Sequence, residues 1–101
     1  MHASWPGEIS PAHAALAGHF PGNAVVPGAL LLSQVAAALQ HAAGKPVKIT
    51  ALDQVKFSAV LRPAEKFVIE LQGDAPHSVR FSIRRGVTLI ASGSLRYEEQ
   101  S

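Results

Sequence analysis

The chain has 101 residues, of which 48% are hydrophobic, and a formal net charge of +2. That length makes one domain, residues 1–101, the default; about two thirds of the unfolded surface can be buried, and the composition excludes a disordered chain. The absence of cysteine excludes disulfides and thiolate metal sites, and the nine Lys and Arg are scattered apart from Arg84-Arg85, without the aromatic interleaving that grips single-stranded nucleic acid.

Residues 1–11 show no basic flank followed by an apolar run, so no signal peptide is expected, and the protein is expected in the cytoplasm. Residues 5–9 read as a short strand, weakened by Pro6-Gly7, and residues 11–16 as a helical turn. Residues 18–28 form a turn-rich loop. A long helix is predicted to start at Pro27-Gly28, where a missing proline N–H is harmless, and to end at Gly44, with Pro46 forbidding continuation. The 16 residues Gly28–Ala43 are broken by Ser33, Gln34, Gln40 and His41, and a membrane span needs about 20 apolar residues. No membrane partner is therefore expected. Leu30, Leu31, Leu32, Val35, Ala36, Leu39 and Ala42 run almost around the circumference, which predicts a helix buried on all sides.

Four strands are predicted to follow, from roughly alternating apolar residues: 47–57, 66–72, 78–85 and 87–97. Turns are expected at Arg62-Pro63, at residues 73–76 and at Gly86, and residues 98–101 as a frayed tail. The fold class is α+β: an antiparallel sheet wrapped around one long buried helix. One sheet from so short a chain cannot cover every face of that helix. A second copy adding its sheet edge to edge is expected, giving a homodimer.

The chemistry concentrates in residues 18–32. His19 sits on a loop stiffened by Pro21, Gly22, Pro27 and Gly28, and the loop feeds into the helix N-terminus. Free N–H groups and a partial positive charge at such a terminus can stabilise negative charge on a carbonyl oxygen. A nearby histidine can move a proton near neutral pH. Together they suit proton abstraction beside a thioester carbonyl. The five histidines lack metal-ligand spacing, so neither metal nor cofactor is expected. His41 is read as a favourable partner of the helix dipole, and His2, His13 and His77 as surface residues.

The run Gly18-His19-Phe20-Pro21-Gly22-Asn23-Ala24-Val25-Val26-Pro27-Gly28-Ala29-Leu30-Leu31-Leu32 closely resembles the signature of the 3-hydroxyacyl-acyl carrier protein dehydratases. Residues 11–32 look like the short dehydratase-like proteins found with polyketide and aryl polyene synthesis. Val55-Lys56-Phe57, Val60, Pro63, Ala64 and Glu65 are similar to the family's strand and following turn. The resemblance implies a hotdog fold and an acyl thioester of acyl carrier protein or coenzyme A as partner. It implies that His19 is the general base at C2 of the substrate, that the Gly28 N–H polarises the thioester carbonyl, and that the Val25 carbonyl orients His19. Phe20, Val25, Val26, Pro27 and Gln34 are expected to line the substrate site. The family's Asp or Glu stands fourteen residues after the histidine, where this chain has Ser33.

Losing a general acid costs about a hundred- to ten-thousand-fold. In this family the histidine of one subunit faces the acid of the other, so a related subunit that keeps its acid could complete the site. Two classes of function follow. One is an enzyme on 3-hydroxyacyl or enoyl thioesters, or a thioesterase in which an amide such as Gln34 orients water and Glu8 assists. The other is a non-catalytic acyl-binding or partner subunit.

Overall fold

The computed structural model describes residues 1–13 and 25–100. Five strands and one helix follow in the order β1 (His2–Glu8), α1 (Gly28–Ala43), β2 (Val47–Phe57), β3 (Lys66–Ala75), β4 (Ser78–Arg85) and β5 (Thr88–Glu99). The strands form one antiparallel sheet in the order β1-β3-β4-β5-β2. Local hairpins join β3, β4 and β5. The two outer strands, β1 and β2, flank the helix in sequence, so α1 crosses from one edge of the sheet to the other.

The period-2 patterns identify the face that meets the helix. Phe67, Ile69 and Leu71 of β3 and Val79, Phe81 and Ile83 of β4 are buried, while their neighbours are exposed or half-buried. They form one core with Leu31, Val35, Ala38 and Leu39 of α1. Leu39 is fully buried, worth about 1.5–3 kcal/mol by transfer of its side chain from water. On β5 the alternation breaks: Ile90 and Ala91 are both buried. Ala91 pairs with Ile83 and Leu89 with Arg84, which leaves Ile90 as an extra residue in the ladder. Its carbonyl accepts the N–H groups of Ser58 and Ala59, at 2.8 and 3.4 Å. That bulge anchors the connection after β2, which borders the site.

Several expectations need correction. The helix is not buried on all sides, because Ala29, Ser33, Ala37 and Gln40 form an exposed stripe opposite the sheet. Pro6-Gly7 lies inside β1, which runs three residues further back than expected. An edge strand tolerates a residue without an N–H. The β3–β4 turn falls at Pro76-His77 rather than at residues 73–76. Gly73 stays in the strand and donates its N–H to the Met1 carbonyl at 2.7 Å, and a Cβ there would lie 3.0 Å from the Met1 nitrogen. Glu98 and Glu99 are not a frayed tail: they pair with Lys48 and Val47, and Lys45 holds Glu99 at 3.2 Å. His13 is half-buried. Of the expected turn at residues 11–16, Pro11 and Ala12 are in a turn; the remainder from residue 14 lies outside the described residues.

Candidate active site at the helix N-terminus

Helix α1 begins where the sequence places it. Pro27 is the N-cap in an extended conformation, φ −62° and ψ 147°, and the Leu30 and Leu31 N–H groups donate back to its carbonyl at 3.0 and 3.2 Å. Among the described residues no side chain caps this end, and no acidic residue stands in the first turn. No carboxylate of the first turn therefore compensates the partial positive charge of the terminus. At the other end Gly44 closes the helix in the left-handed conformation, φ 71°, and its N–H returns to the Gln40 and His41 carbonyls.

The segment before the helix is tied to the connection after β2. The Val26 N–H donates to the Leu61 carbonyl at 2.7 Å, and both side chains are buried. Leu61 lies on a strap, residues 58–65, fastened at three further points. Ile90 binds its start, Arg85 donates to the Val60 carbonyl at 2.7 Å, and the Ala64 N–H donates to the Ile9 carbonyl at 2.7 Å. Glu65 completes the clasp. It accepts the Arg62 N–H at 2.6 Å and the Arg85 guanidinium at 3.2 Å.

At position 28 glycine leaves room for a ring from β2. A Cβ there would come within 2.8 Å of Cζ of Phe57. The Phe57 ring thus lies against the first residue of the helix and gives the terminus an apolar wall on one side. Half of Phe57 is exposed. Sequence reading noted Phe57 only as a strand residue, since nothing in the local pattern links position 57 to position 28.

The remaining candidates divide. Val25 is half-buried, Val26 buried and Pro27 exposed, all leading into the helix. Ser33 lies on the exposed face of α1, where its hydroxyl donates to the Leu30 carbonyl one turn back at 2.7 Å. Gln34, the next residue, is half-buried. Glu8 is exposed at the end of β1, opposite Lys66. His19 and Phe20 lie outside the described residues. His41, in the last helical turn, packs against Trp5 of β1 with the rings tilted by 32° and their centroids 4.6 Å apart. Among the described residues no group of three or more His, Asp or Glu is placed to hold a metal ion, and no helix is long and apolar enough to cross a membrane.

The described site can therefore do two things. It can present backbone donors of a helix terminus to an oxygen that gains charge, and it can shield that contact with Phe57. It supplies no carboxylate in the first turn of the helix.

Comparison with known proteins gives this geometry its relatives. The 3-hydroxyacyl-acyl-carrier-protein dehydratase FabZ of Syntrophobacter fumaroxidans is 29% identical over 91 residues, 82% of this chain and 56% of the relative. FabZ of Chloroflexus aggregans is 37% identical over 62 residues, 54% of this chain and 43% of the relative. The chain thus spans about half the length of the curated relatives it matches. Among solved structures, the dehydratase heterocomplex ApeI:P from Xenorhabdus doucetiae superposes with a TM-score of 0.83 at 20% identity, covering 95% of this chain and 86% of that one. The fluoroacetyl-CoA thioesterase FlK superposes at 0.75 with 18% identity, covering 96% and 83%. At these identities the structures establish the hotdog fold alone. The family model for the ApeI-like proteins, described as ApeI dehydratase, matches residues 2–94, and the chain belongs to that family.

Proposed function

We propose that this chain acts on 3-hydroxyacyl thioesters at the N-terminus of α1, with dehydratase chemistry. The observation that carries the proposal is the helix terminus at Gly28, walled by Phe57 and without a side-chain cap among the described residues, which follows His19 closely in the sequence. His19 takes the proton from C2 of the substrate. The electron pair moves toward the thioester carbonyl, whose oxygen gains charge and meets the Gly28 N–H. The C2=C3 double bond then forms as the C3–O bond breaks, and the hydroxyl leaves as water once it receives a proton.

That last proton distinguishes this chain from an ordinary dehydratase. Ser33 stands where the resemblance puts the acid, and a serine hydroxyl holds its proton too tightly to give it up. Its hydrogen bond to the Leu30 carbonyl engages it with its own helix. A second reading follows: the chain is one subunit of a heteromeric dehydratase and supplies His19 and Gly28 to a site whose carboxylate comes from a related hotdog subunit. The exposed stripe Ala29, Ser33, Ala37 and Gln40 supports this reading, because it leaves room for a neighbouring helix over position 33. The structural likeness to a dehydratase heterocomplex agrees with it.

In either case a second subunit adds to the β2 edge. β2 is an 11-residue edge strand, and Leu52 and Phe57 on it are about half exposed, as is Val60 just after it. Long apolar edges are normally covered. The test is turnover of 3-hydroxyacyl and trans-2-enoyl thioesters, read by mass spectrometry, for the wild type, His19→Ala and Ser33→Glu. Activity that disappears in His19→Ala supports the enzyme. A silent wild type that Ser33→Glu awakens supports the subunit reading. Silence in all three, alone and with an acid-bearing relative, contradicts both. Hydrolysis to a free acid in place of dehydration makes the chain a thioesterase.

A further inference from the structure

The strap at residues 58–65 is held more firmly than a connection between two strands requires. Ala64 keeps φ at 70°, in the left-handed region that favours glycine. Such a conformation persists only where the surroundings over-determine it, and here they do. The Ala64 N–H donates to the Ile9 carbonyl at 2.7 Å, the Glu65 N–H to the Arg62 carbonyl at 3.2 Å, and the Arg62 N–H to Glu65 Oε1 at 2.6 Å.

Arg85, the last residue of β4, grips this strap from the sheet. Its Nη1 is shared by two acceptors, the Val60 carbonyl at 2.7 Å and Glu65 Oε1 at 3.2 Å. An ion pair whose side chains are each 33% exposed is a modest tie by itself. The charge-assisted bond to the Val60 carbonyl is the stronger one, and it acts on the strap backbone directly. Next to Val60 stands Leu61, whose carbonyl takes the Val26 N–H at 2.7 Å, one residue before the Pro27 N-cap. Just ahead of the strap stands Phe57, whose ring meets Gly28. The strap therefore bears on both sides of one contact: on the ring through its own start, and on the helix through Val26. Arg84, the neighbour of Arg85, is exposed.

We infer that Arg85 is a positioning residue: through Val60 and Leu61 it sets where the N-terminus of α1 stands against Phe57, and so where the Gly28 N–H meets the thioester oxygen. The inference rests on the thioester reading of the site. A misplacement of about 1 Å can cost about a hundredfold in rate. Charge gathers on that oxygen mainly in the transition state, so the loss falls on kcat and leaves KM nearly untouched.

The test compares the wild type with Arg85→Met, which keeps an apolar stem and removes the donors, Arg85→Lys, which keeps a charged donor, and Arg84→Met beside it. Amide hydrogen exchange of the whole chain is the first readout and needs no turnover. Arg85→Met is expected to speed exchange of the Val26 N–H about tenfold, while the β1–β3 ladder stays within about twofold. Turnover of a 3-hydroxyacyl thioester is the second readout, in the wild type and in the Ser33→Glu background. There Arg85→Met is expected to lower kcat about tenfold with KM within about twofold, Arg85→Lys to recover most of the loss, and Arg84→Met to stay within about twofold. Unchanged exchange at Val26 overturns the inference, as does an equal acceleration of Val26 and the β1–β3 ladder, which would make Arg85 a general stabiliser. So does a full kcat in Arg85→Met, or a loss that Arg84→Met matches. The two readings fail separately. If no variant turns over a thioester, the enzymatic reading falls, while exchange at Val26 still decides the role of Arg85. Turnover that Arg85→Met leaves intact keeps the enzyme and removes that role.

Discussion

At position 28 a Cβ would come within 2.8 Å of Cζ of Phe57, so a larger residue fits only if that ring moves. Gly28→Ala is expected to destabilise the fold by about 1–3 kcal/mol through overpacking, at the lower end because a half-exposed ring can swing aside. The check is urea denaturation. Gly28→Ala/Phe57→Ala should recover that stability, so a double variant no more stable than Gly28→Ala would place the strain elsewhere. Ser33→Ala removes a hydrogen bond that the hydroxyl makes to its own helix on an exposed face. Its stability should change by no more than about 0.5 kcal/mol, and a larger loss by the same method would mean that Ser33 does more than serve its own helix. Gly28 was legible in the sequence as a helix start, from Pro27-Gly28, whereas the interest of Ser33 comes from the family resemblance alone. Phe57 was not legible, because its meeting with Gly28 is a contact across the fold that no local period encodes.

The elements were read best where chemistry is local. Pro27, Gly44 and Pro46 set the ends of α1, and Gly44 does so purely by conformation: its φ is 71°, and a Cβ at that position would meet nothing within 4 Å. Gly44→Ala should therefore cost about 1 kcal/mol from backbone strain alone, with Gly44→Asn milder, as thermal melts would show. Reading failed where a distant element decides. Gly73 reads as a turn residue, yet the start of β1 passes so close to it that it must stay in the strand. Glu98 and Glu99 read as a tail, yet β2 offers them a ladder and Lys45 an ion pair. Ile90 breaks the alternation because its carbonyl holds the strap beside the site.

At the scale of the molecule, one side of α1 meets the sheet and the other is open. The helix pattern, apolar around most of its circumference, is proposed to reflect an assembly rather than one chain. The open stripe includes Ser33, the position where the resemblance puts the acid, so assembly and chemistry are proposed to be one problem. A wild-type mass near twice 10.6 kDa by light scattering is expected. Leu52→Asp, placing a charge on the exposed edge strand, should shift it toward the monomer. A mutant that remains fully dimeric would move the interface away from β2.

Dehydration by this chain requires that the fold place His19 and Gly28 correctly and lack only the acid. Dehydration of a 3-hydroxyacyl thioester by Ser33→Glu, beside the wild type and Ser33→Glu/His19→Ala, tests that most directly. The expected result is a gain of about a hundredfold or more in Ser33→Glu, the size of a restored general acid, and its loss when His19 is also removed. No gain in a folded Ser33→Glu, or a gain that survives the loss of His19, would contradict the account.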